Sequence, residues 1–146
     1  MAKFKYRMQN ILDIKMKLES QERINFANAN AALFAEQKKL QELMVRRVGY
    51  ERKLKELMTG TLDIRAVNSA RADITTMKTM IRRQMMNVRK AEMLVEEARK
   101  KLNQVMQERK THEILKEKAF EEFKQELARE ESKEIDQLVS YTYNNR

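Results

Sequence analysis

The amino-acid sequence predicts an all-α protein, a long antiparallel two-helix coiled-coil hairpin with its turn near Gly60 and an overhanging C-terminal helix. Three observations predict this fold. The 146 residues include two glycines and no proline, far fewer turn-forming residues than a globular domain normally carries. Charged residues make up 36% of the chain and hydrophobic residues 42%, which suits a narrow apolar seam between long helices. The apolar residues also recur every seven positions, a regularity that disordered chains lack.

The second helix, expected over about residues 65–140 and followed by a short flexible tail, has the clearest period. Six heptads repeat without a break, and two columns of this kind form the a and d positions of a coiled coil. The first column is Val67, Ile74, Ile81, Val88, Val95 and Leu102, and the second is Ala70, Met77, Gln84, Ala91, Ala98 and Val105.

The first helix, expected over about residues 2–58, carries a matching seam. Its two columns are Phe26, Leu33, Leu40, Arg47 and Leu54, and Ala29, Glu36, Leu43, Tyr50 and Leu57. Further upstream Phe4, Ile11 and Leu18 repeat by seven, one residue out of phase with this seam. A slip of one residue predicts a local change in the supercoil.

The two glycines have different predicted roles. Gly49 falls on an outward position inside the first heptad run, where nothing signals a helix end. Gly60 follows a lysine-rich last turn, and Thr61 or Asp63 can cap the helix that comes next. We therefore place the turn at residues 59–64 and treat residues 1–146 as a single coiled-coil domain.

The two helices are unequal in length, which leaves part of the second one without a partner. If they pair about residue 62, Phe4 lies opposite Phe120, and residues from about 124 onward overhang. An apolar stripe without an internal partner indicates an external one, self-association, or fraying in free solution. The stripe consists of Phe120, Phe123, Leu127, Ile135 and Leu138.

The charge distribution differs along the chain, whose net charge is +9. Residues 1–58 carry +6 and residues 59–107 carry +5, whereas residues 108–146 carry −2. Most charge on long helices serves solvation, but this asymmetry predicts different partners at the two ends. The longest apolar run, AALFA at residues 31–35, is far too short to span a membrane, so we expect no direct membrane insertion.

Nothing in the sequence supports enzyme chemistry. There is no phosphate-binding glycine loop, no cysteine, and only one histidine, His112, which falls on a seam position. Glutamates between residues 121 and 134 alternate with lysines and an arginine at helical spacings typical of a solvated face. We expect no catalytic residue, no cofactor and no metal site.

Two long segments resemble one known family. The start FKYRMQNILDIKMKLESQE resembles the N-terminus of the flagellar export protein family FliJ. Residues 108–137, ERKTHEILKEKAFEEFKQELAREESKEIDQ, resemble the C-terminal helix of that family. The resemblance implies a component of the flagellar type III export apparatus, similar to the central stalk of rotary ATPases. Such a protein is expected to insert into and activate the hexameric export ATPase and to contact the cytoplasmic domain of the membrane export-gate protein. It is also expected to handle export chaperones, and to work in the cytoplasm, peripherally at the inner face of the membrane at the flagellar base.

The resemblance also implies two sets of binding residues. The set expected to face the ATPase ring is Phe4, Arg7, Arg109, Phe120, Phe123 and Leu127. The set expected to contact the export gate or chaperones is Leu43, Tyr50, Met80, Arg82 and Arg83. Phe4 and Phe120 have an alternative interpretation as core residues at the open end of the hairpin.

Three other functions remain open at this point. The basic charge suits a DNA-binding coiled coil, although no recognition motif or interleaved aromatic residue accompanies it, and we expect no nucleic-acid partner. A structural coiled coil in which two chains pair is also possible. So is the equivalent stalk of a virulence secretion system or of a vacuolar-type ATPase.

Overall fold

A computed structural model of the protein describes residues 3–144. These residues form two α-helices, α1 (Gln9–Leu57) and α2 (Ile64–Asn144), which pack against each other as a helical hairpin. The predicted fold class is therefore confirmed. Within the described residues, neither helix contains a stretch apolar enough to cross a membrane.

The turn lies where the sequence places it. Gly60 has a φ of +84°, a left-handed conformation that a side chain strains, so glycine is the residue suited to reverse the chain here. Asp63 caps α2, because its carboxylate accepts hydrogen bonds from the backbone N–H groups of Arg65 and Ala66 at 3.1 and 3.3 Å. Gly49 lies within α1, and a methyl group added there would meet no atom within 4 Å.

Contacts between residues divide the described chain into two compact units. The turn unit comprises residues 22–102, and the terminal unit comprises residues 3–21 together with 103–144. Each unit contains segments of both helices. The assignment of a single domain stays a prediction.

The core of the turn unit is the predicted seam. In α2, nine of the twelve predicted seam residues are buried and the other three are half-buried. In α1, all ten predicted seam residues are half-buried. One polar contact crosses this seam, since the Gln84 amide donates to the Glu36 backbone carbonyl at 2.9 Å and also to the Glu36 carboxylate.

The seam of the terminal unit differs from the prediction. Leu12 and Glu19 are buried, whereas Ile11 and Leu18 are exposed. Leu12 and Glu19 continue the column of Phe26 without the predicted slip of one residue. The prediction gave more weight to the apolar character of Leu18 than to the ion pair that allows Glu19 to be buried.

The ends of the helices also differ from the prediction. Helix α1 begins at Gln9 rather than near residue 2, because the preceding segment packs its aromatic residues instead of continuing the helix. Helix α2 continues to Asn144, so residues 141–144 are helical and not a flexible tail. The remaining predicted positions, residue 2 and residues 145–146, lie outside the described residues.

Candidate functional site

The last part of α2 is an exposed helix with an apolar face. Every residue from 128 to 144 is exposed. This stretch lies where the sequence predicts an overhang. Ile135 and Leu138 are on it as predicted, and Leu138 lines a shallow groove of about 340 Å³ with Val139, Thr142 and Tyr143. Several large exposed apolar side chains on one short stretch of a helix are typical of an interaction surface. We call residues 128–144 the C-terminal segment.

An aromatic cluster precedes the C-terminal segment. The Phe4 ring packs edge-on against Phe120, with ring centroids 5.1 Å apart, and against Phe123 at 5.5 Å. The predicted pairing of Phe4 with Phe120 is therefore confirmed. The Lys124 ammonium lies 4.6 Å from the centre of the Phe120 ring. This cluster packs the segment before α1 against α2, which favours the interpretation of Phe4 as a core residue. Phe120 takes part in the same packing and is still 39% exposed.

Arg109 lies between the helices of the terminal unit. Its guanidinium pairs with the buried Glu19 carboxylate and with Glu113, whose carboxylate is 2.8 Å from Nη1. The carboxylates of Glu113 and Glu19 raise the pKa of Arg109, because both stabilise its charged form. We call Glu19, Arg109 and Glu113 the ionic layer. Its geometry assigns Arg109 a packing role, and contact of Arg109 with a partner stays a prediction.

The other two residues expected to face the ATPase have different surroundings. Arg7 is exposed in the turn just before α1. Leu127 is half-buried, at the point where the C-terminal segment begins.

A second ion pair joins the two helices of the terminal unit. Lys15 Nζ donates a hydrogen bond to the Glu108 carboxylate at 2.7 Å. This hydrogen bond lowers the pKa of the Glu108 carboxyl.

A second surface feature is a groove of about 750 Å³ in the turn unit. It brings together Leu43 and Met80, two of the residues expected to contact the gate or chaperones. Val45 adds to its apolar lining, and the basic residues Lys38, Lys39 and Arg46 outnumber Glu42, the one acidic residue of the lining. We call this feature the basic groove.

The structure places the remaining gate residues elsewhere. Tyr50 is half-buried on the seam, as its heptad position predicts, and it is not among the residues lining the basic groove. Arg82 and Arg83 are exposed on the outward side of α2. The predicted set therefore divides into two residues in a groove, one in the seam and two on an open helix face.

Several surface residues escaped the sequence interpretation. Val139, Tyr141 and Tyr143 are exposed on the C-terminal segment, and Tyr143 is 80% exposed. The run LVSYTY at the end of the chain is the signal that could have found them. The basic groove could not be found in this way, because its lining combines Leu43 of α1 with Met80 of α2, which are 37 positions apart.

The described residues hold no group of three or more potential metal ligands. The pKa shifts of Glu96, Arg99, Glu108 and Arg109 all come from hydrogen-bonded ion pairs, as in Glu96, whose pKa Arg99 lowers. What the surfaces offer is therefore apolar contact and charge, the means by which proteins bind other macromolecules.

Comparison with known proteins agrees with this geometry. A family model described as Flagellar FliJ protein matches residues 4–146. The chain belongs to the FliJ family. The family resemblance in the sequence is thus confirmed, and the chain is a component of type III secretion or flagellar export.

A solved structure has the same fold. It is that of a YscO homologue from Chlamydia trachomatis, with 22% sequence identity and a TM-score of 0.62. The match covers 97% of this chain and 96% of the other. No curated protein sequence matches the chain.

Proposed function

We propose that this FliJ family member is a central stalk of the export apparatus. In this role the C-terminal segment inserts into the hexameric export ATPase, promotes ring assembly and raises ATP turnover. The protein itself is a non-catalytic regulator in this proposal. It couples the ATPase to the membrane export gate, handles export chaperones, and resides in the cytoplasm against the inner face of the membrane at the flagellar base.

The observation that carries this proposal is the C-terminal segment. Its residues are exposed, several are large and apolar, and none is buried by another part of the described chain. A helix presenting apolar side chains in this way gains free energy when a partner covers them. Phe120 and Phe123, next to it, extend the apolar surface toward Leu127.

The basic groove supports the second half of the proposal. Leu43, Val45 and Met80 offer an apolar lining of the kind that receives side chains of a partner segment. Its lysines and Arg46 favour a partner with acidic residues beside its apolar ones. We assign this groove to the gate or a chaperone and leave the ATPase to the C-terminal segment.

ATP turnover by the flagellar ATPase of the same organism tests the proposal. We expect stimulation at well below one stalk per ATPase subunit, together with ring formation, over a series of salt concentrations. Truncation after Phe123 should abolish both stimulation and co-sedimentation. Because α2 has no buried residue beyond Phe123, the truncated chain should unfold at the same temperature as the full chain.

Matched substitutions locate the effect. Leu138→Gln with Tyr141→Gln should reduce stimulation strongly. Phe34→Gln with Val48→Gln removes a similar exposed apolar area from α1 and should leave stimulation unchanged. Equal loss in both variants, or full stimulation by the truncated chain, would contradict the insertion of the C-terminal segment.

A separate binding assay tests the basic groove. Met80→Glu should weaken capture by the cytoplasmic domain of the gate protein or by an export chaperone, because it places an acidic group in the groove. Met85→Glu is the control, since Met85 is similarly exposed but does not line the groove. If both variants bind normally, the groove is not the gate or chaperone site.

The likeness to a YscO homologue keeps one alternative in view, a stalk for a virulence secretion system. Stimulation of a virulence ATPase in preference to the flagellar one would favour it. Binding to a DNA fragment with no effect on either ATPase would instead favour the nucleic-acid interpretation.

A further inference from the structure

The outward face of α2 in the turn unit carries an unusual block of positive charge. Between Ile74 and Ala91 there is no acidic residue. The same stretch contains five basic residues, and all of them are exposed. We call them the cationic face: Lys78, Arg82, Arg83, Arg89 and Lys90.

These cations differ from the charged residues that form ion pairs within one helix. Arg47, Arg99 and Lys124 each pair with a glutamate three or four positions away. Among the described residues, no member of the cationic face forms an ion pair. Unpaired cations on one face add their potentials and attract an anionic partner.

The cations surround exposed methionine. Met86 is 60% exposed, and its neighbours at i−4, i−3, i+3 and i+4 are Arg82, Arg83, Arg89 and Lys90. Met93 lies seven residues later on the same side and is 65% exposed. Met86 is therefore a flexible apolar side chain with cations on both sides, whereas Met93 has Arg89 and Lys90 on one side and glutamates on the other.

We propose that the cationic face adsorbs to the surface of an anionic lipid bilayer. Lipid phosphates satisfy the lysine and arginine groups, while the side-chain stems and Met86 contact the boundary of the acyl region. Single-stranded nucleic acid is less suited, because residues 64–102 include no aromatic side chain on which bases could stack. Binding to duplex DNA is distinguished by the experiment below. The inference goes beyond the stalk proposal and does not depend on ATPase binding.

Sedimentation of the full chain with vesicles tests this proposal. We expect binding to vesicles of phosphatidylglycerol and phosphatidylcholine in about equal amounts, none to phosphatidylcholine alone, and weaker binding as salt rises. The variant Arg82→Gln, Arg83→Gln, Arg89→Gln, Lys90→Gln should lower the partition coefficient by about two to three orders of magnitude, at about fivefold per cation.

A charge-matched control separates the face from net charge. The variant Arg52→Gln, Lys53→Gln, Lys100→Gln, Lys101→Gln removes four exposed cations from other parts of the helices. It should weaken vesicle binding by less than about tenfold.

A second variant tests the apolar contact. The double change of Met86→Gln and Met93→Gln should reduce vesicle binding less than loss of the four cations does, and this reduction should not depend on salt concentration.

Three results would overturn the proposal. The first is that the unaltered chain does not bind anionic vesicles. The second is that the two charge-matched variants lose equal amounts of vesicle binding. The third is that the cationic face binds a DNA fragment or an acidic polypeptide while the chain does not bind vesicles. Truncation after Phe123 removes the C-terminal segment and leaves the cationic face, so the truncated chain should lose ATPase stimulation and keep vesicle binding. Failure of this proposal is therefore distinguishable from failure of the stalk proposal.

Discussion

The two parts of α2 share one uninterrupted helix and differ in what they bury. Residues 64–102 contain nine buried residues at the seam positions, whereas residues 103–144 contain none. In the first part, α1 supplies the other side of the seam within the turn unit. In the C-terminal segment every side chain is exposed, although the segment is helical to Asn144. Helix formation and side-chain burial thus have separate causes. A helix forms where all residues have adequate helix propensity, whereas burial of its side chains requires a second element that packs against it.

The largest expected effect comes from one substitution made in both parts. Ile81→Ala, at a position 5% exposed, should lower the free energy of unfolding by about 3 kcal/mol. Ile135→Ala, at 60% exposed, should change it by less than about 0.5 kcal/mol. Urea unfolding followed by circular dichroism measures both. Similar losses would mean that the C-terminal segment is covered in solution, for example by a second copy of the chain.

The second prediction concerns the ionic layer, which lies between the helices of the terminal unit. Arg109→Met removes the Arg109 cation from the buried Glu19 carboxylate and should lower the melting temperature by several degrees. Adding Glu19→Leu should restore most of the loss, because two apolar groups replace the pair.

Arg99→Met is the control for the ionic layer. It breaks an exposed ion pair with Glu96 inside α2 and should change the melting temperature little. If the double variant melts as low as Arg109→Met alone, Glu19 and Arg109 do not act as a coupled pair.

The third prediction tests the turn that brings α1 and α2 together. Gly60→Ala should destabilise the hairpin by about 1–2 kcal/mol, because Gly60 has a left-handed φ. Gly49→Ala should stabilise it by about 1 kcal/mol, because Gly49 lies inside α1 beside open space. Thermal unfolding of the two variants should shift in opposite directions. A shift in the same direction would show that one of these glycines has another role.

The smallest expected effect is on pH dependence. The hydrogen bond from Lys15 lowers the pKa of Glu108 below its ordinary value of 4.5. The stabilisation that this ion pair gives to the folded chain is therefore complete above pH 4.5. It is lost as the pH falls through the lowered pKa. Lys15→Met should therefore flatten the decline in melting temperature below about pH 4.5. Lys17→Met, which removes an exposed cation on the same helix, should keep the slope of the unaltered protein.

Much of the fold could be predicted because heptad position decides burial in a long helix pair. The α2 seam, the ten half-buried residues of α1, the turn at Gly60 and the capping Asp63 all followed from spacing and local chemistry. The N-terminal seam did not, because hydropathy favours burial of Leu18 over burial of Glu19, and the ion pair of Glu19 with the distant Arg109 cannot be seen in the sequence.

The candidate surfaces were harder to predict than the seam. The exposed stripe that includes Ile135 and Leu138 could be found as an apolar pattern without a partner. The basic groove could not, because its lining depends on which residues of two helices meet beside the seam. Arg109 shows the opposite error, since a charged residue suggested a surface contact and lies between the helices instead.

The contact between Gln84 and Glu36 has a consequence for how the chain folds. Heptad seams are nearly self-similar, so a hairpin zipped one heptad out of frame would again place apolar residues against apolar residues. In such a frame the Gln84 amide would lose the Glu36 carboxylate, although a backbone carbonyl is present at every position. The register-specific part of this contact is therefore the one between the two side chains. We expect a hairpin that forms one heptad out of frame to be less stable than the native one, because it buries the Gln84 amide without the Glu36 carboxylate.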